Sequence, residues 1–153
     1  MQLLKIYYAY FSPGNTTEKV VSHIASSFQN YPVESINLTD YATRQEDYYF
    51  KENELLIIGV PAYGGRVPAP VVDALRHFTG SNTPVVLVAT YGNRDIDDTL
   101  IELKKNVIDK GFIPVGAASF VCQHTFLKEC AEGRPDEEDL KMAGEFGDKL
   151  KEN

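Results

Sequence analysis

Leu55-Leu56-Ile57-Ile58 is an apolar run with no polar residue to mark a solvent-facing side. A strand with one wet face alternates; a strand with two dry faces does not, and dry faces on both sides are the mark of a parallel sheet. Val85-Val86-Leu87-Val88-Ala89 repeats the pattern further along. Helical stripes lie between and around these runs. Val20, Val21, Ile24, Ala25 and Phe28 recur at helical spacing, as do Val71, Val72, Leu75 and Phe78, with Pro70 acceptable in a first turn. Ile96, Leu100, Leu103 and Val107 form another stripe, closed by Gly111. Leu140, Ala143, Phe146 and Leu150 form the last, opened by Pro135-Asp136-Glu137-Glu138, whose acids suit the positive end of a helix.

The remaining strands read as Leu3 to Tyr8, the half-polar Val33-to-Leu38 segment, and Phe112 to Ala118. Asp40 to Phe50 reads as a short helix or a loop. Five strands alternating with helices predict an α/β three-layer sandwich, a five-stranded parallel sheet with helices on both faces. The two most apolar strands belong at its centre. The half-polar second strand and the fifth, which contains Pro114, belong at its edges, since Pro cannot donate to a ladder. That predicts the order 2-1-3-4-5, in which ligands bind beyond the carboxyl ends of the strands where the winding reverses. The 153 residues are expected to form one domain, 1–153.

Composition narrows the function. A formal charge of −7 disfavours nucleic acid, whose binding rests on Lys and Arg neutralising phosphates. No apolar run reaches the roughly 20 residues that span a bilayer, and the N-terminus runs straight into a strand pattern. The expectation is a cytoplasmic protein without a leader. Its two cysteines, Cys122 and Cys130, are too few for an iron–sulfur cluster and are not spaced as a redox motif.

Three loops at the carboxyl end carry the chemistry. Ser12-Pro13-Gly14-Asn15-Thr16-Thr17 joins the first strand to the first helix. Small hydroxyl residues and a Gly at a helix start make an anion nest of backbone N–H groups, without any Lys or Arg. The plainer reading is a simple helix cap. Pro61-Ala62-Tyr63-Gly64-Gly65-Arg66-Val67-Pro68 follows the third strand, and Tyr91-Gly92-Asn93-Arg94-Asp95 the fourth. Each sets an aromatic beside a Gly, which suits a flat ring: the aromatic stacks and the Gly lets the backbone come close. Either loop alone reads as an ordinary turn with a surface Tyr.

Tyr10-Phe11-Ser12-Pro13-Gly14-Asn15-Thr16 resembles the phosphate loop of flavodoxins, which in many relatives reads Ser-x-Thr-Gly-x-Thr; here it is one residue shorter. Val60 to Pro68, Tyr91 to Arg94 and Gly133-Arg134-Pro135-Asp136 resemble the flavodoxin-like domain of flavodoxin–ferredoxin fusion proteins. That likeness runs over nearly the whole chain and implies a flavodoxin-like fold, bound FMN and electron transfer. The cysteine-rich region that follows in the fusions is not expected here. By resemblance, Ser12, Pro13, Gly14, Asn15, Thr16 and Thr17 form the phosphate loop. Tyr63 and Tyr91 flank the ring, Gly64, Gly65, Gly92 and Asn93 line its polar edge, Pro61, Ala62 and Arg66 belong to the same site, and His124 lies near the ring or the phosphate.

The resemblance implies a redox partner protein, ferredoxin-like or a reductase. Asp95, Asp97 and Asp98 beside the third loop suit a basic patch on that partner, or simply a helix start. Competing uses of the fold lack their residues. The strand ends Ala9-Tyr10-Phe11 and Val60-Pro61-Ala62 carry no carboxylates for phosphoryl acceptance, the first loop has no nucleophilic Cys, and no GxGxxG or GxxxxGK[ST] occurs. Two alternatives stay open: an NAD(P)H-dependent FMN or quinone reductase, and a binding module that has lost its flavin.

Overall fold

In a computed structural model of the chain, residues 2–92, 98–121 and 134–152 are described. The expectations for Asn93, Arg94, Asp95, Ile96, Asp97, Cys122, His124, Cys130 and Gly133 lie outside the described residues.

Strand β1 (Lys5–Tyr10) leads into α1 (Thr16–Ala25), which runs on through a 3₁₀ turn at Ser26–Phe28. Then come β2 (Val33–Asn37), α2 (Tyr41–Arg44), β3 (Tyr48–Tyr49), β4 (Glu54–Pro61) and α3 (Ala69–Leu75). The chain continues through β5 (Phe78–Thr79), β6 (Thr83–Tyr91), α4 (Thr99–Ile108), β7 (Phe112–Val121) and α5 (Glu137–Lys151). The main sheet is parallel, in the order β2-β1-β4-β6-β7. Counting only its own strands, that is the expected 2-1-3-4-5.

Burial follows the sequence pattern. Glu54 to Val60 and Thr83 to Thr90 are buried throughout, whereas in β2 only Ile36 is. Residues of β4 alternate between two cores. Leu56, Ile58 and Val60 pack with Val71, Leu75, Leu103 and Val107 of α3 and α4. Leu55 and Ile57 pack with Val20, Val21, Ile24 and Ala143 of α1 and α5. Each fully buried Leu, Ile or Val contributes about 1.5–3 kcal/mol relative to exposure.

Pro114 sits on the edge strand β7, opposite Val85. The register then skips: Val86 pairs with Gly116, leaving Val115 bulged. Two local differences from the sequence reading occur. Phe78, expected on the face of α3, begins β5, which pairs with β3 in a second, two-stranded sheet. The Asp40-to-Phe50 stretch holds α2, capped by the Asp40 side chain accepting from the Thr43 N–H, followed by β3.

Helix α5 opens with a capping box: Asp136 accepts from the Asp139 N–H, and Asp139 accepts from the Asp136 N–H. The Arg134 guanidinium also grips Asp139 at both carboxylate oxygens and holds its carboxyl below the usual range. A lowered folded-state pKa means stability present above the ordinary carboxylate range and lost as pH falls through the lowered value. Asp139→Asn is expected to cost about 1–2 kcal/mol at neutral pH. The deficit should shrink towards strongly acidic pH, as read by thermal midpoints across a pH series.

Candidate functional site at the carboxyl ends of the strands

The winding reverses between β1, which continues to β2, and β4, which continues to β6 and β7. The loops after β1, β4 and β6 open on that side.

The first loop is tied on three sides. The Phe11 N–H donates to the Gly59 carbonyl (3.2 Å), and the Ser12 N–H donates to Thr39 Oγ1 (2.7 Å). The Asn15 N–H closes a turn on the Ser12 carbonyl (3.0 Å). Ser12 is 4% exposed, and its Oγ accepts the Glu18 N–H at 3.0 Å. It therefore caps the third residue of α1 from six residues upstream, and among the described residues no acceptor takes its own proton. Asn15 takes a left-handed conformation (φ 64°) directly before the right-handed turn of α1. Left-handed followed by right-handed backbone turns successive N–H groups towards one point. Among the described residues, nothing accepts from the amides of Gly14, Thr16 or Thr17. Pro13, Gly14 and Asn15 are exposed and Thr16 is half-buried. Thr17 differs: its hydroxyl is buried and meets Thr90 Oγ1 at 2.8 Å, so only its amide faces the nest.

The second loop is a tight hairpin. Tyr63 and Arg66 exchange both backbone hydrogen bonds, at 2.9 and 3.0 Å, across Gly64 and Gly65. Both glycines have positive φ, 59° and 77°, the requirement of a type I′ turn. A Cβ on Gly64 would meet nothing within 4 Å, so its need for glycine is conformational and the space above it is open. Pro61 and Ala62 are half-buried, and the Ala62 N–H donates to the Thr90 carbonyl at 2.8 Å. Half-buried Tyr63 packs edge-on against Phe11 of the first loop, with ring centroids 6.2 Å apart. In the third loop Tyr91 is half-buried and Gly92 buried. Asn93 and His124 lie outside the described residues.

Arg66 belongs to a different partnership. Its fork reaches Glu102 on α4 at 2.8 and 3.1 Å, and Glu102 also accepts the Val67 N–H at 3.0 Å. The guanidinium holds the Glu102 carboxyl below the usual range, and Glu102 in turn raises Arg66. One carboxylate thus pins the second loop to α4 at two points. Glu102→Gln is expected to loosen the second loop's hold on α4 and to lower the thermal midpoint by about 2–4 °C, the effect of one net hydrogen bond, as read by thermal unfolding.

Thr39, Thr90 and Glu102 escape a reading by loop alone. Thr39 could be found from the strand order, because β2 lies beside β1 and their carboxyl ends adjoin. Glu102 has no such signal: it sits in the first turn of α4, where an acid reads as an ordinary partner of the helix dipole.

The fold has counterparts among solved structures. A flavodoxin from the domain Archaea superposes with a TM-score of 0.67 at 14% identity, covering 97% of each chain. The chain has the flavodoxin fold. Oxidised flavodoxin 1 from Bacillus cereus gives a TM-score of 0.65 at 15% identity, over 97% of this chain and 98% of that one. The flavodiiron core from Synechocystis gives 0.65 at 18% identity, and there the flavodoxin fold of this chain spans 36% of the longer protein. No family model and no curated protein matches the sequence. Among the described residues no helix is long and apolar enough to cross a membrane, and no cluster of His, Cys, Asp or Glu could hold a metal ion.

Proposed function

We propose that the chain binds FMN across the three loops and carries electrons to or from a redox partner protein, ferredoxin-like or a reductase. The observation that carries this reading is the nest at Ser12 to Thr17. Among the described residues, three amides and the Ser12 hydroxyl proton find no acceptor around a left-handed Asn15, at the point where the sheet's winding reverses. Such a cradle suits a phosphate and asks for no cationic side chain. The second loop supplies what a flat ring needs: Tyr63 beside a positive-φ Gly64-Gly65 turn that is open above Gly64, with Tyr91 at the end of the neighbouring strand.

FMN, when bound, supplies one- and two-electron redox chemistry. The chain's own part is to hold and shield it. Ser12, Gly14, Thr16 and the Thr17 amide would take the phosphate, and Tyr63 and Tyr91 would exclude water from the ring. The Gly64-Gly65 peptide and Gly92 would present main-chain groups at its edge, with Asn93 and His124 assigned there by resemblance. Arg66 would act from outside, through its hold on Glu102. Exposed Asp98 and the net charge of −7 suit a partner with a basic face.

The test is titration of the purified chain with FMN and with riboflavin, followed by flavin fluorescence, which stacked tyrosines should quench. No quenching with FMN would sink the reading. Fast bleaching of the bound flavin by NADPH or NADH alone would move the assignment to a reductase.

A further inference from the structure

We propose that Thr90, through its buried hydroxyl contact with Thr17, is the positioning residue that sets the phosphate loop in register with the two ring loops. This rests on the FMN reading above.

One residue touches all three loops. The Thr90 Oγ1 lies 2.8 Å from Thr17 Oγ1, at the start of the helix that presents the nest. The Thr90 carbonyl accepts the Ala62 N–H at 2.8 Å, which fixes the second loop. The next residue is Tyr91, where the third loop begins. Among the described residues, this is the one side-chain hydrogen bond joining α1 to β6. Both threonines are buried, 1% and 2% exposed, so neither hydroxyl has water as an alternative partner. Both are β-branched and hold χ1 stiffly. Thr17 is also constrained on its other side. Its Cγ2 lies 3.1 Å from where a Cβ on Gly59 would stand, so the methyl rests over the β4 backbone while the hydroxyl holds β6. The start of α1 is thereby fixed against both strands that carry ring loops. The other ties reach fewer elements: the Phe11 N–H on the Gly59 carbonyl and the Phe11–Tyr63 ring contact join the first loop to β4 and the second loop but not to β6, Thr39 holds the phosphate loop beside the end of β2, and Glu102 holds the second loop to α4.

A ligand that must reach the nest and the ring loops together senses their spacing; a ligand that uses only the ring loops does not. The experiment compares FMN and riboflavin affinities for the wild-type chain, Thr90→Val and Thr90→Ser, with thermal midpoints of the flavin-free proteins as the record of folding. The expected result is a roughly fivefold fall in the FMN-over-riboflavin preference of Thr90→Val. Riboflavin affinity should stay within about twofold, and Thr90→Ser should restore the preference because it keeps the hydroxyl. If Thr90→Val does not fold, Thr17→Val removes the same bond from the helix side and carries the same expectation. Loss of both affinities by one common factor would mean a structural role only and would overturn the proposal, as would an unchanged preference. A wild-type chain with no preference for FMN fails at an earlier point, since then the nest does not hold a phosphate.

Discussion

Riboflavin, which lacks the phosphate of FMN, is expected to bind this chain at least about a hundredfold more weakly than FMN. The nest offers the amides of Gly14, Thr16 and Thr17, and a proton on Ser12 Oγ, to any anion that enters. Hydrogen bonds to a charged group contribute about 1.5–3 kcal/mol each, and two of them already exceed the roughly 2.7 kcal/mol that a hundredfold requires. The donors are in place before the ligand arrives. Asn15 holds its left-handed turn through its own N–H bond to Ser12, and Thr39 fixes the Ser12 amide. Little ordering is left for the binding step to offset. Fluorescence titrations with the two flavins decide the matter, and equal affinities would show that the loop serves only as a helix cap.

Gly59→Ala should lower stability by about 1–3 kcal/mol and take FMN affinity down with it. A Cβ there would stand 2.3 Å from Val21 Cγ1 and 3.1 Å from Thr17 Cγ2. Val21 is fully buried and β-branched, so its methyl cannot swing aside without entering the core around Ile57 and Val20. The cheaper response is for α1 to lift from the sheet at its first turns, which are the turns that present the nest. At this chain length the thermal midpoint should fall by roughly 3–10 °C. Adding Val21→Ala should relieve the clash and recover part of the loss, which makes the pair non-additive. A Gly59→Ala chain as stable as the parent would mean that α1 does not approach β4 this closely.

The sequence pattern reached the sheet more fully than the surroundings of the site. Strands β4 and β6 are buried on both faces, and that leaves a mark no loop or surface helix shares. Pro114 marked an edge because a missing N–H is tolerated only there. Phe78 misled for a physical reason. It lies three residues beyond Leu75, so helical spacing and a following strand both bury it, and only its pairing partner Tyr48, thirty positions away by the register Tyr48–Phe78, tells them apart. The same holds for β3, two residues long and paired far along the chain. At the site, the glycines and the hydroxyl-rich loop were legible because their residue types answer local backbone demands. Thr90 fell between the apolar run that ends at Ala89 and the loop read from Tyr91, and nothing local shows that its hydroxyl meets Thr17, seventy-three positions away. Arg66 read as a flavin neighbour because nothing local reveals that Glu102, on a separate helix, claims it.

The bulged edge of β7 bears on the behaviour of the chain among its own copies. Ten residues, Phe112 to Val121, run along that edge without one charge. Ile113 and Val115 stand about half exposed on it. A flat strand of that composition would template edge-to-edge growth between molecules. Pro114 withholds an N–H from any incoming chain, and the skipped register at Val115 breaks the even spacing of hydrogen-bonding groups that such growth copies. The irregularity that interrupts the sheet inside one molecule therefore also makes this edge a poorer template for a second copy, by backbone shape where other edges rely on charged side chains.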